Sequence, residues 1–146
     1  MAGLDRRTIL GLIVAVGAPA RPGAAAAVRI RIRIRDLYGR GAAFSDQAVA
    51  LDQQRVQIQG FMAPPLKADV DFFVLTKLPM AVCPFCDSEL DWPNDIVLVR
   101  LRGRQDWVDF NQPILVTGTL ALGTEIDTAT GFVSRVRLVD AVFELA

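Results

Sequence analysis

Two cysteines in the segment Cys83-Pro84-Phe85-Cys86 are the residues of this sequence best suited to chemistry. A Cys-x-x-Cys pair brings two sulfur atoms within bonding distance. The sulfurs can form a disulfide, exchange disulfides with another protein, or bind a metal ion as thiolates. The sequence contains no histidine, which excludes Ser-His-Asp and Cys-His nucleophile pairs, HExxH zinc sites and His-ligated haem or copper.

Metal binding is the chemistry that the neighbouring residues favour. Two thiolates three residues apart make half of a structural zinc site, and the chain has no second cysteine pair to complete it. Met80 lies three residues before Cys83, so Met-x-x-Cys-x-x-Cys supplies three soft sulfur ligands of the kind that select copper(I). We therefore expect copper(I) or zinc at Cys83 and Cys86, with Met80 as a third ligand. A second copy of the chain in a homodimer could complete the site, and the candidate additional ligands within the chain are Met62, Asp87, Glu89 and Asp91.

Two other roles of the cysteine pair stay open. A structural disulfide across so short a loop would contribute only about 2 kcal/mol, although an oxidising compartment favours its formation. Cys-Pro-Phe-Cys also resembles the glutaredoxin active site, in which the first thiol has a lowered pKa. Here the acidic Asp87 and Glu89 would raise a thiol pKa, and Pro93 closes the segment within two helical turns. A thiol-disulfide oxidoreductase and a purely structural interaction domain are therefore the alternatives, no catalytic residue is assigned, and each methionine could instead pack in the core.

The first 27 residues have the pattern of an export signal. Arg6 and Arg7 precede an apolar run, Ile9 to Ala20, and small residues follow it. This run is shorter than the ~20 apolar residues that span a membrane. The arginine pair is typical of twin-arginine signals, which export folded proteins. We expect residues 1–27 to be that signal and residues 28–146 to be one periplasmic or secreted domain; an uncleaved N-terminal anchor is the alternative.

Composition limits what this domain can bind. Residues 28–146 carry thirteen basic and fifteen acidic side chains, which is too little positive charge for nucleic acid. They contain no apolar segment long enough to span a membrane. A chain that is 52% hydrophobic is not disordered. Two cysteines exclude a disulfide-rich scaffold.

Most of the domain has the apolar patterns of β-strands. Val28 to Arg35 alternates β-branched residues with arginines, which predicts an edge strand. Its arginine face also suits anion binding, although protection of an edge from aggregation is the explanation we prefer. Ser45 is suited to cap a helix of barely two turns that ends at Leu51. Five further strands are predicted at Arg55–Phe61, Phe72–Leu75, Ile96–Arg102, Ile114–Leu120 and Val133–Phe143.

Irregular positions within these strands suggest a curved sheet. Gly118 predicts a bend or bulge, and a change of apolar phase predicts a second bulge near Asp140. The segment Asp127–Gly131 has turn chemistry, with Gly131 free to take a positive φ, so a hairpin is expected there. Short strands without a long helix predict an all-β fold, a small OB-like barrel of five to six strands.

Four sequence blocks are specific enough to compare with known families: Gly60–Lys67, Phe72–Leu75, Pro79–Cys86 and Gly131–Ser134. Together they resemble a family of exported bacterial proteins known as a domain of unknown function. The resemblance implies a periplasmic or lipoprotein-like accessory of ABC export systems of the macrolide and lipoprotein type, sometimes associated with metal-regulated genes. It implies no established catalytic activity, and it points to a site made of Met62, Met80, Cys83 and Cys86. We therefore expect a non-catalytic accessory or binding module whose partner is an ABC transporter or another envelope protein.

Overall fold

The computed structural model describes residues 29–65, 71–81 and 93–146. This part of the chain is nearly all-β, with one α-helix, α1 (Asp46–Ala50), and one 3-10 helix (Ile34–Leu37). The Ser45 hydroxyl caps α1 as predicted, because it accepts a hydrogen bond of 3.0 Å from the Ala48 N–H. The strands are β1 (Ile30–Arg31), β2 (Arg55–Met62), β3 (Phe72–Thr76), β4 (Ile96–Leu101), β5 (Pro113–Ile126) and β6 (Val133–Leu145).

The six strands form one sheet that closes on itself. Their order is β1-β2-β3-β4-β6-β5, and β2 also pairs with β5, so β2 to β6 make a ring of pairings with β1 at the edge. β4 and β6 run parallel, whereas the other neighbours within the ring run antiparallel. The predicted all-β, OB-like arrangement of five to six strands is confirmed. The predicted export signal lies outside the described residues.

The interior of the ring is filled by the apolar side chains that alternate along the strands. Val56 and Ile58 of β2 lie in one hydrophobic core with Val116 and Leu120 of β5, and all four are buried. β3 is buried on both faces, as its short apolar run predicts. Burial of this apolar surface is the main term that stabilises the domain.

The prediction of one strand from Val28 to Arg35 is wrong for its second half. Of the described residues in this range, two form β1, which pairs in parallel with β2, and the chain then turns into the 3-10 helix. The cause is a local turn, in which the Asp36 N–H donates to the Arg33 carbonyl at 2.9 Å. The Arg33 guanidinium also donates to the Asp36 carboxylate at 2.6 and 3.2 Å. The alternation of buried and exposed side chains continues through the turn, since Ile32 and Ile34 are buried.

The bulge predicted near Asp140 is present and changes the phase of β6. Asp140 has φ +52°, and the pairing of β6 shifts there against both β4 and β5. Gly118 lies opposite, where an added Cβ would be 3.0 Å from the Cβ of Ala141. The extra residue turns Ala141 into the core.

The Asp140 carboxylate also ties the bulge to two other strands. Arg102, just past the end of β4, donates to it at 2.7 and 2.6 Å, and Arg55 of β2 donates at 3.4 Å. The hydrogen bonds from Arg102 are the main cause of a lowered pKa at Asp140. All three side chains are largely exposed, so these ion pairs fix geometry more than they add stability.

Gly60 lies where β2 approaches β3 too closely for a side chain. A Cβ on Gly60 would lie 2.7 Å from the Thr76 carbonyl oxygen and 2.9 Å from Cγ of Leu75. We expect Gly60→Ala to lower the free energy of unfolding by about 1–3 kcal/mol, because overpacking forces a backbone shift. Denaturant unfolding measures the change. The matched control is Gly103→Ala, since nothing lies within 4 Å of a Cβ there; equal losses in both variants would contradict this account.

Candidate functional site

The cysteine pair belongs to the connection between β3 and β4. β3 ends at Thr76 and β4 begins at Ile96, and these two residues are paired across the sheet. The connection therefore starts and ends on neighbouring strands of the ring. Several predicted site residues lie in this connection but outside the described residues, namely Cys83, Cys86, Asp87, Glu89 and Asp91. The export-signal residues Arg6 and Arg7 also lie outside them.

Side-chain hydrogen bonds hold both ends of this connection. The Thr76 hydroxyl lies 2.7 Å from the Leu78 carbonyl oxygen, to which it can donate, and 3.2 Å from that of Phe61 in β2. On the other side, the Tyr38 hydroxyl donates to the Ile96 carbonyl at 2.6 Å. The Asn94 amide donates to the carbonyl of Gly41 at 2.9 Å. The base of the cysteine connection is thus joined to β2 and to the loop that follows the 3-10 helix.

The two candidate methionine ligands occupy different environments. Met62 ends β2, pairs with Leu75 and is 2% exposed within the main hydrophobic core. Met80 is half-buried and lies in the described part of the cysteine connection, three residues before Cys83. Met80 is thus on the segment that carries the cysteines, whereas Met62 packs in the core and its role as a ligand stays a prediction. Among the described residues, no three His, Cys, Asp or Glu side chains form a metal-binding group.

The hairpin between β5 and β6 bends over the outer face of β3 and β4. We call residues 123–134 the hairpin arm. Gly123 has φ +108°, and the β5–β6 pairing shifts between Leu122 and Glu125. Phe132 in the arm packs on a second small core and lies 5.8 Å, centroid to centroid, from the ring of Phe72. The buried residues of this second core are Ala63, Val74 and Ile96.

Two arginines hold the arm in place. Arg137 of β6 is 5% exposed and donates to the Gly123 carbonyl at 2.7 Å. Its Nε lies 3.2 Å from a carboxylate oxygen of Glu125. Arg100 of β4 makes an ion pair of 3.2 Å with Asp127. Each guanidinium therefore has a carboxylate partner, which the buried charge of Arg137 requires, and we assign this cluster to the structure of the arm.

Asp127 organises the turn at the tip of the arm. Its Oδ1 accepts hydrogen bonds from the Thr130 hydroxyl at 2.8 Å, the Thr130 N–H at 2.9 Å and the Ala129 N–H at 3.2 Å. The Thr130 hydroxyl is the main cause of a lowered pKa at Asp127, assisted by the backbone N–H groups and the charge of Arg100. Gly131 has φ +73°, so the predicted hairpin turn is confirmed.

This lowered pKa predicts a pH dependence of stability. A carboxyl whose pKa is lower in the folded chain stabilises the fold above its ordinary pKa of 3.8, and the stabilisation is lost as pH falls through the folded pKa. We expect Asp127→Asn to make the free energy of unfolding less dependent on pH in that acidic range. Denaturant unfolding at a series of pH values measures it. Asp106→Asn, at an exposed loop position, is the control, and parallel curves for wild type and Asp127→Asn would contradict the prediction.

An open groove of about 360 Å³ runs along the outer face of β2, β5 and β6. The sequence pattern places polar side chains on this face but does not show that they enclose a groove. Gln57 lines this groove, and its side-chain amide donates a hydrogen bond of 3.1 Å to the Thr117 hydroxyl. The lining includes Arg29, Arg55, Gln57, Leu115, Thr117 and Glu144.

In the described part of the chain, no helix has the length and apolar character needed to cross a bilayer. No protein-family model and no curated protein matches the sequence. The fold is similar to the crystal structure of a DUF3299 family protein from Pseudomonas aeruginosa, with a TM-score of 0.51 and 17% sequence identity. The similarity covers 77% of this chain and 92% of the other. At this identity the likeness establishes the all-β fold alone.

Proposed function

We propose that the protein is an exported, non-catalytic accessory or binding module of an envelope transport system, and that it binds copper(I) or zinc through Cys83 and Cys86. The observation that carries the proposal is the anchoring of the cysteine connection on Thr76 and Ile96, a residue pair of neighbouring strands. Met80 and the two cysteines therefore lie on one segment of the chain that is attached to the sheet at both of its ends. Met80, half-buried on the same connection, is the third ligand.

The residues that follow the cysteine pair in sequence favour metal binding over thiol-disulfide exchange. Reactive Cys-x-x-Cys pairs have a lowered thiol pKa, commonly because the first cysteine lies at a helix N-terminus. Acidic residues, including Asp87 and Glu89, follow the pair in sequence and oppose thiolate formation unless a metal ion is bound.

The accessory role rests on the resemblance of the four sequence blocks to the family of exported bacterial proteins, and on the pairing of charged side chains within the domain. Its acidic and basic side chains near the arm are paired with one another in structural contacts, such as Arg137 with Glu125. The partner we propose is an ABC transporter or another envelope protein, and a homodimer could supply further ligands. The metal ion is bound as a ligand of the module, with no reaction assigned to it.

If the protein is exported by the twin-arginine route, Arg6 and Arg7 are required for its export. We expect the double variant Arg6→Lys and Arg7→Lys to accumulate as precursor in the cytoplasm, because that route reads the arginine pair. Fractionation of cells followed by immunoblotting measures the distribution. Arg21→Lys, a change within the same segment, is the matched control. Normal export of the double variant would remove the assignment of the route without bearing on the metal site.

The metal site predicts a distinct pattern of ligand variants. Reduced wild-type protein should hold copper(I) or zinc against chelators, and Cys83→Ser or Cys86→Ser should abolish that binding. Met80→Leu, a nearly isosteric change, should weaken copper(I) binding and leave zinc binding nearly unchanged, because zinc gains little from a thioether. Binding should weaken as pH falls, since the thiolates must lose protons to bind. Chelator competition on each protein measures these affinities.

Two outcomes would contradict the metal proposal. The first is wild-type protein that holds neither ion better than the double cysteine variant. The second is a stable disulfide between Cys83 and Cys86, detected by counting free thiols in protein purified without reductant. In this outcome, mild reductant and added metal ion together do not convert the disulfide into metal-bound thiolates. Either result would assign the pair to a structural or redox disulfide instead.

A further inference from the structure

A row of exposed arginines begins where the predicted export signal ends. The residues alternate with isoleucines, so that Ile32 and Ile34 are buried while the arginines between and beside them are exposed. We call this row, together with one arginine in the following loop, the arginine stripe. Its members are Arg29, Arg31, Arg33, Arg35 and Arg40.

The stripe is held on the domain rather than carried on a free tail. Ile30 and Arg31 pair in parallel with β2, and the Ile32 N–H donates to the Gln57 carbonyl at 3.0 Å. The 3-10 helix then continues the row, with Leu37 fully buried beneath it. The arginines therefore lie on one exposed segment that is attached to the domain.

The charge of the domain is strongly uneven along the chain. Residues 29–45 contain five arginines and a single acidic residue, Asp36, whereas residues 46–146 contain eight basic and fourteen acidic residues. Asp36 pairs with Arg33 at 2.6 Å and with Arg35 at 3.7 Å. Within the described ranges, no carboxylate lies at ion-pairing distance from the other three arginines of the stripe. The segment that carries the stripe thus has a net positive charge, whereas the rest of the domain has a net negative charge.

We infer that the arginine stripe binds an anionic phospholipid membrane surface. Clustered arginines next to an anionic bilayer each contribute about 1 kcal/mol of attraction, and this attraction is screened by salt. A membrane is the partner to which we commit because a domain exported as proposed lies beside the anionic phospholipids of the cell envelope, whose charge is opposite to that of the exposed arginines; this choice of partner rests on the proposed export. This binding does not depend on the cysteine pair.

Vesicle binding tests the inference on protein isolated with its native N-terminus. Wild-type protein should co-sediment with vesicles of phosphatidylcholine mixed with phosphatidylglycerol more than with phosphatidylcholine alone, and high salt should remove the difference. The double variant Arg29→Gln and Arg31→Gln should lose roughly 25-fold in the partition coefficient for the anionic vesicles, at about 1 kcal/mol for each arginine. Any contribution from apolar N-terminal residues would be the same in both proteins and on both lipids.

The matched control is the double variant Lys77→Gln and Arg104→Gln, which removes the same charge at exposed positions outside the stripe. It should bind anionic vesicles as tightly as the wild type does. Equal losses in the two double variants would overturn the inference, because net charge alone would then explain binding. Wild-type protein that shows no preference for anionic vesicles would overturn it as well. Far-UV circular dichroism of each variant confirms that the sheet is intact.

Discussion

At Asp140 the backbone of β6 takes a φ of +52°, and this bulge lets one strand pair with two neighbours that run in different directions. β6 is antiparallel to β5 and parallel to β4, and both pairings shift their register at the bulge. The close approach of β5 and β6 at the bulge requires a glycine, Gly118 of β5, because a Cβ at this position would lie 3.0 Å from the Cβ of Ala141 in β6. Because β6 joins the two halves of the sheet, closure of the ring depends on this contact.

The closed ring determines which surfaces remain for function. The hairpin arm covers the outer face of β3 and β4 through Phe132, so this face of the sheet belongs to a second core. The cysteine connection emerges where β3 ends and β4 begins, at Thr76 and Ile96. The arginine stripe begins at the edge strand β1, beside β2, and continues into the 3-10 helix and the loop after it. The proposed metal site and the inferred membrane-binding stripe thus lie in separate parts of the chain, and each can be changed by mutation without altering the residues of the other.

Much of this fold could be predicted because its signals are local. Alternation identifies β2 and β4, the hydroxyl of Ser45 identifies the start of α1, and the change of apolar phase identifies the bulge at Asp140. The cysteine pair is equally visible, since its spacing alone defines the chemistry of two sulfur atoms. The wrong prediction of a strand that continues to Arg35 also has a local cause. A single hydrogen-bonded turn between Arg33 and Asp36 outweighs the alternating pattern.

The features that sequence reasoning missed depend on contacts between distant residues. The bend of the hairpin arm rests on Arg137 and Arg100, which lie in different strands and meet Glu125 and Asp127 only after folding. The groove along β2, β5 and β6 likewise combines side chains from separate strands and from Arg29. Neither arrangement leaves a periodic signal in the sequence.

X-ray absorption spectroscopy of reduced protein loaded with copper(I) tests the central claim most directly, because it reports the elements bound to the metal ion. Two thiolates, from Cys83 and Cys86, and one thioether, from Met80, predict a first coordination shell made of sulfur alone. The spectrum of Met80→Leu should lose one sulfur neighbour and keep the other two. A first shell of nitrogen or oxygen atoms in the wild-type protein would contradict the proposed site.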